Sequence, residues 1–217
     1  MRTEFDPADS GPHGFYRLMT SLVTPRPIAW VSTRSTGGVD NLAPHSFFTV
    51  VCADPPMVAF SSVGRKDTLR NVEATGEFVV NLIGEALTEQ ANLTGTDFPP
   101  ELSEFDAVGL TREPSERVKA PRVAESPAAL ECVVHSTQEL GDSTLVIGRV
   151  LCAVVDAAVL GEDGLPEIAL LRPMARLGRE EWSAIGAVST RSRVRYVDWN
   201  ADWKRSGNFD PESRDGS

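Results

Sequence analysis

Pro27-Ile28-Ala29-Trp30-Val31-Ser32-Thr33, Ser46-Phe47-Phe48-Thr49-Val50-Val51 and Met57-Val58-Ala59-Phe60-Ser61-Ser62 are three apolar runs packed between Pro25 and Thr68. Each has strand length, is rich in β-branched or aromatic residues and is bounded by turn formers. Between and after them sit Asn41-Leu42-Ala43-Pro44-His45-Ser46 and Gly64-Arg65-Lys66-Asp67-Thr68. Hydroxyls, an amide and two adjacent cations therefore fall at strand ends or turns, where side chains and backbone N–H groups can converge on a ligand. The arrangement points to an anion-bearing ligand held on a small β-barrel.

Flanking residues support strands joined by tight turns. Pro25 and Pro27 fix φ and push Thr24 and Arg26 toward extended backbone. Thr36-Gly37-Gly38-Val39-Asp40-Asn41 reads as a hairpin turn, and Asp54-Pro55-Pro56 as a second, rigid one. Asp67 to Gly76 reads as a short helix with Asp67 as N-cap and the glycine as its stop. Glu77 to Ile83 returns to strand character, Glu85 to Leu93 to helix, and Glu101 to Val108 to a further helical turn. Residues 111–127 carry three prolines and mixed charge, which predicts an irregular surface excursion. Ala129–Thr137 and Ser143–Val155, turned at Leu140-Gly141-Asp142, form the longest predicted hairpin. Short turns, β-branched runs and few, short helices favour a mainly β barrel with helical insertions over a parallel α/β sheet.

The whole chain has 217 residues, 41% of them hydrophobic, enough to bury a core as one domain. Residues 1–14 read as a flexible lead-in, 15–198 as the domain and 199–217 as a polar tail, disordered or lying on a partner subunit. A net charge of −10 argues against nucleic-acid or anionic-membrane binding, both of which need a basic footprint. No basic segment leads into an apolar run at the start, and no stretch is long enough to span a bilayer, so a cytoplasmic location is expected. Cys52, Cys132 and Cys152 lie apart in apolar runs and read as buried small hydrophobes. Trp30, Phe47, Phe48 and Phe60 read as core. His45 and His135 read first as structural histidines, although His45 stands at a strand end where it could orient a substrate. Hydrolase, dinucleotide-fingerprint and P-loop motifs are missing.

Ser61-Ser62-Val63-Gly64-Arg65-Lys66-Asp67-Thr68 offers hydroxyls, backbone donors and cations at a strand-to-helix junction, the chemistry a phosphate wants. Asn41 and Ser46 could bond the edge of a planar heterocycle. Together with Pro25–Thr33, Asn41–Phe48, Asp54-Pro55-Pro56 and Arg65–Asn71, these residues resemble the flavin-reductase-like FMN-binding family. Phe78–Asn81, Gly141–Val150 and Arg176-Leu177-Gly178 continue the likeness, which covers roughly residues 15–195.

The resemblance implies an FMN-binding split β-barrel and a homodimer with flavin near the subunit interface. It also implies flavin reduction by NADH or NADPH, with reduced flavin passed to a partner monooxygenase in many members. By the same resemblance Ser61, Ser62, Arg65, Lys66 and Thr68 would hold the phosphate and ribityl chain, Asn41 and Ser46 would meet the ring, and Arg26 would assist. His45 and Ser143 would border the substrate or nicotinamide pocket. Ser143 departs from a family histidine, and a serine cannot act as a neutral-pH acid or cation. Two other readings stay open: an FMN enzyme acting on an organic substrate with an external reductant, and an FMN electron carrier or flavin-less binding module.

Overall fold

Seven strands carry the fold: β1 (Ala29–Arg34), β2 (Asp40–His45), β3 (Phe48–Cys52), β4 (Met57–Val63), β5 (Glu77–Asn81), β6 (Ala128–Leu140) and β7 (Ser143–Val155). They pair antiparallel in the order β2-β1-β5-β6-β7-β4-β3. β2 and β3 stand at opposite ends of this order, yet only Ser46 and Phe47 separate them in the chain. The sheet must therefore curl until its two edges meet, which makes it a barrel with one unzipped seam. This computed structural model describes residues 1–193, so the tail over 199–217 lies outside the described residues. Residues 1–185 form one compact unit; residues 186–193 carry no helix or strand.

Both faces of β1 are covered, which explains the apolar run Ile28–Val31 at its start. Ala29 and Val31 pack with Phe60, Phe78, Val80 and Val146 inside the barrel. Trp30 turns the other way, to Leu42, Ile83 and Phe105 beneath the helical insertions. Each fully buried side chain of this size gains about 1.5–3 kcal/mol from leaving water, against the chain entropy lost on ordering. The β6–β7 hairpin turns on Gly141-Asp142 with Gly141 at φ 65, the first-position glycine of a two-residue turn. At the bulge beside Gly148 the ring of Phe78 fills the space a side chain would need: a Cβ there would lie 2.3 Å from Cζ.

Asn41–Ser46 is for the most part strand β2, which pairs directly with β1. Its proline is tolerated because β2 is the last strand in the pairing order. The helix over Asp67–Thr75 (α2) takes Lys66, not Asp67, as N-cap, and ends at Gly76 in the left-handed region. Another helix, α1, starts at Pro7 and runs to Leu22, overlapping the predicted lead-in. Asp6 Oδ1 accepts from the Ala8 N–H at 2.8 Å and Pro7 opens the helix, a cap followed by a first-turn proline. Gly11, at φ 64, kinks it.

Three short helices follow: α3 (Thr88–Leu93), α4 (Glu104–Val108) and α5 (Ile168–Leu171). The 111–127 excursion contains one small ladder, Arg112–Glu113 against Arg122–Val123. It is pinned by the buried carboxylate of Glu131, which accepts from the Glu116 and Arg117 N–H groups and from Arg122 Nη1. Arg26–Pro27, Met174–Arg176 and Trp182–Ala184 make a separate three-stranded ribbon. No helix among the described residues is long and apolar enough to cross a membrane.

Candidate functional site

A cavity of about 440 Å³ opens where the seam of the barrel meets α2. This is within the range of small-molecule sites. Its walls come from the end of β2, the Ser46-Phe47 bend, the end of β4, the first turn of α2 and the segment Thr94–Phe98. Asn41, His45, Ser46, Ser61, Ser62, Arg65, Lys66 and Thr68 all line it. Residues that the sequence spreads over 28 positions, 41 to 68, are brought together by the seam between β2 and β3, by the end of β4 and by the strand-to-helix junction.

Asn41 and Thr68 form the cavity's buried polar floor. The Asn41 amide orientation that satisfies both of its ends has Oδ1 accepting from the Thr68 hydroxyl at 2.9 Å and Nδ2 donating to Glu104 Oε1 at 3.3 Å. Glu104 Oε2 accepts from the Leu42 N–H at 2.9 Å. Burial raises the Glu104 carboxyl above its ordinary pKa, and the Leu42 hydrogen bond offsets this only in part. Ser62 is buried and its hydroxyl donates to the Gly64 carbonyl at 3.3 Å.

The two loop cations stand at the mouth, exposed and paired with carboxylates. Arg65 Nη2 lies 2.6 Å from Glu73, and Lys66 Nζ lies 2.7 Å from Asp97. Exposed pairs of this kind hold weakly, so either cation can turn to a stronger anion. The N-cap of α2 makes no side-chain cap hydrogen bond, which leaves the positive end of the helix facing the cavity. His45 Nε2 is buried without a hydrogen-bond partner, and its ring packs 4.8 Å from that of Phe60. Burial pushes the His45 imidazole down to about 4, with the Ser61 backbone opposing in part, so it is neutral near pH 7.

Two expected residues stand elsewhere. Arg26 is buried in a neighbouring cleft and is spent on carbonyl groups, so it does not join the cavity. Ser143 lines a further cleft with Phe15, Tyr16, Met19 and Phe47 beneath α1, where its hydroxyl donates to Asp142 at 2.9 Å. Phe47, expected in the core, borders both that cleft and the cavity, 6.2 Å from the Tyr16 ring. Trp30 and Phe60 are core as expected. His135 is exposed on β6, while Cys132 is buried and Cys52 and Cys152 are half-buried.

Sequence reasoning missed Tyr16, Asp97, Glu104 and the rest of the Thr94–Phe98 wall. That wall is fixed by Trp30 Nε1 donating to Thr94 Oγ1 at 2.8 Å, a contact across 64 residues with no local signature.

A curled antiparallel sheet with an uncapped helix start, hydroxyls and exposed, ion-paired cations round one cavity defines a split-barrel protein of the flavin-binding class. Residues 19–171 match the model of the flavin reductase like domain, and the chain belongs to that family. It is 42% identical over 168 residues to an Aquifex aeolicus protein, covering 75% of this chain and 86% of that one. Nitrilotriacetate monooxygenase component B from Bacillus cereus superposes with a TM-score of 0.83 at 31% identity, over 88% of this chain and 99% of that one. The 2-nitrobenzoate 2-nitroreductase of Pseudomonas fluorescens gives 0.82 at 29% identity, over 92% and 100%.

Proposed function

We propose that this chain binds FMN in the cavity and catalyses its reduction by NADH or NADPH. The observation that carries the reading is the convergence of Ser61, Ser62, Lys66 and Thr68 at the uncapped start of α2, opposite Asn41 and Ser46. Bound FMN would supply the redox chemistry, accepting a hydride from the reduced nicotinamide. The protein's share is binding, orientation and electrostatics.

Ser61 presents its hydroxyl to the phosphate end, Ser62 and Thr68 can do so by giving up their bonds to the Gly64 carbonyl and to Asn41, and Lys66 and Arg65 exchange their exposed carboxylates for it. Asn41, fixed between Thr68 and Glu104, and Ser46 meet the ring edge. His45 Nε2, buried and neutral, is a hydrogen-bonding partner in waiting on the same wall. The barrel's similarity to a monooxygenase component B supports a chain that hands reduced flavin to a partner oxygenase; that it does so as a homodimer is part of the same proposal.

The test is anaerobic: FMN-loaded protein receives NADH or NADPH, and the oxidised-flavin absorbance is followed. Rapid bleaching is expected. A protein that takes up no FMN, or a bound flavin that stays yellow, sinks the reductase reading.

A second reading has its own support. Ser143 in a cleft walled by Phe15, Met19 and Phe47, and the similarity to a nitroreductase, favour an FMN enzyme acting on an organic substrate. Reoxidation of chemically reduced flavin by 2-nitrobenzoate, faster in the protein than in solution, is its signature.

A further inference from the structure

The cleft on the other side of Ser46 is built around a buried, unneutralised cation. Arg26 is 7% exposed, and its donors all go to uncharged oxygens. Nη1 donates to the Thr20 and Val23 carbonyls, Nη2 to the Leu177 carbonyl at 2.8 Å, and Nε to Ser46 Oγ at 3.5 Å. Among the described residues no carboxylate lies within ion-pair distance of it. A guanidinium stays charged in any protein, and a buried charge without a counter-charge is costly.

The surroundings add to the positive charge. Arg17, Arg176 and Arg179 line the same cleft, with Glu180 and Glu181. Four arginines against two glutamates leave a local excess of two positive charges, in a chain whose net charge is −10. Arg179 and Glu181 are 3.7 Å apart and exposed, a pair that screens little. Arg176 is held in place: its guanidinium lies 5.0 Å from the Trp182 ring centre, and Nη2 donates to the Arg179 carbonyl at 3.2 Å. The cleft measures about 730 Å³ and shares Tyr16 and Ser46 with the flavin cavity.

We propose that the Arg26–Arg176–Arg179 cleft is an anion subsite that takes the phosphate or carboxylate end of the second substrate, while the reacting end of that molecule reaches the cavity past Ser46 and Tyr16. Arg26 supplies the buried charge and Arg17, Arg176 and Arg179 supply donors at the entrance. The two oxyanion sources share this chemistry and differ in what they carry: a dinucleotide brings phosphates, an aromatic acid a carboxylate. The role assigned to the site rests on the flavin reading; anion binding itself does not.

The test is calorimetric titration of the full chain with NADH, NADPH and benzoate as separate probes, comparing wild type with Arg176→Gln/Arg179→Gln. FMN is titrated alongside. At least one probe is expected to weaken about tenfold or more, as for loss of charge-assisted bonds, with FMN affinity held within about twofold. Loss for NADPH alone marks a ribose phosphate, loss for both nucleotides the pyrophosphate, and loss for benzoate alone an aromatic acid. Arg17→Gln, on the exposed face of α1, moves the same probe in the same direction without touching the ribbon. The proposal is overturned if no probe binds wild type more tightly than about 1 mM, or if every probe binds the variants equally well. Failure of FMN alone to bind overturns the flavin reading and leaves the anion titration standing.

Discussion

The Thr68 hydroxyl donates to the side-chain oxygen of Asn41 across 2.9 Å, although 27 positions separate the two residues. This bond ties the start of α2 to β2 and sets the floor of the cavity. Thr68 therefore has a structural duty as well as a place in the binding wall, and Lys66 does not.

Lys66→Ala and Thr68→Val should separate the two duties. Lys66 loses only an exposed pair with Asp97, so its variant should unfold within about 1 kcal/mol of wild type in urea. Its FMN affinity should fall on the order of tenfold to a hundredfold, as for one charge-assisted bond. Thr68→Val leaves Asn41 Oδ1 with only the Leu42 N–H, at 3.2 Å, so the lost bond should cost about 0.5–1.5 kcal/mol of stability as well as affinity. Unchanged FMN affinity in Lys66→Ala removes the phosphate assignment.

Gly148→Ala places a methyl 2.3 Å from Phe78 Cζ and 2.7 Å from Cε1. Overpacking of this kind costs about 1–3 kcal/mol or more. Adding Phe78→Leu should recover part of the loss, because the two residues share one space and their effects are not additive. Urea midpoints of the single and double variants check this; strict additivity would count against the clash.

His45 gives a pH signature. Its folded pKa, about 4, lies below its ordinary 6.5, so between those values the unfolded chain binds more protons than the folded one. Stability contributed at neutral pH is thus lost as pH falls through that window. Glu104 acts in the opposite sense, since its raised pKa favours the folded state when protonated. The comparison with His45→Phe isolates the histidine: the variant should lose less stability than wild type between pH 6.5 and 4. Parallel urea-midpoint profiles for the two proteins would contradict a buried neutral imidazole.

Glu131→Ala should be among the most damaging substitutions. Its carboxylate is fully buried and lies 2.6 Å from Arg122 Nη1. Its removal leaves the Glu116 and Arg117 N–H groups without an acceptor and Arg122 with Glu113 alone, 3.0 Å from Nε; each buried donor left unpaired costs about 1–3 kcal/mol. Limited proteolysis should then cut first within 111–127, the segment that Glu131 pins.

Much of this architecture is legible in local chemistry. The alternation of β-branched runs with Gly, Pro and Asp turns marks β1, β4, β5 and the β6–β7 hairpin, and hydroxyls beside Arg65-Lys66 at a strand-to-helix junction mark one wall of the cavity. The same local logic hid the first half of α1, because its Asp6-Pro7 cap lies in a stretch whose polarity suggests a loose end, while Phe15 to Val23 reads as a short helix or an extended segment.

The sequence by itself determined the class of fold, the polar set Asn41, Ser46, Ser61, Ser62, Lys66 and Thr68, and the family. Periodicity, turn chemistry and hydroxyl placement are short-range properties, readable within a few residues. Only the tertiary structure decided which charges are free to act. Lys66 and Arg65 acquire carboxylate partners at the surface, while Arg26 is buried among carbonyls beside Arg176. Burial and ion pairing depend on what the closed sheet brings within a few ångströms, and that distance is written in no stretch of sequence.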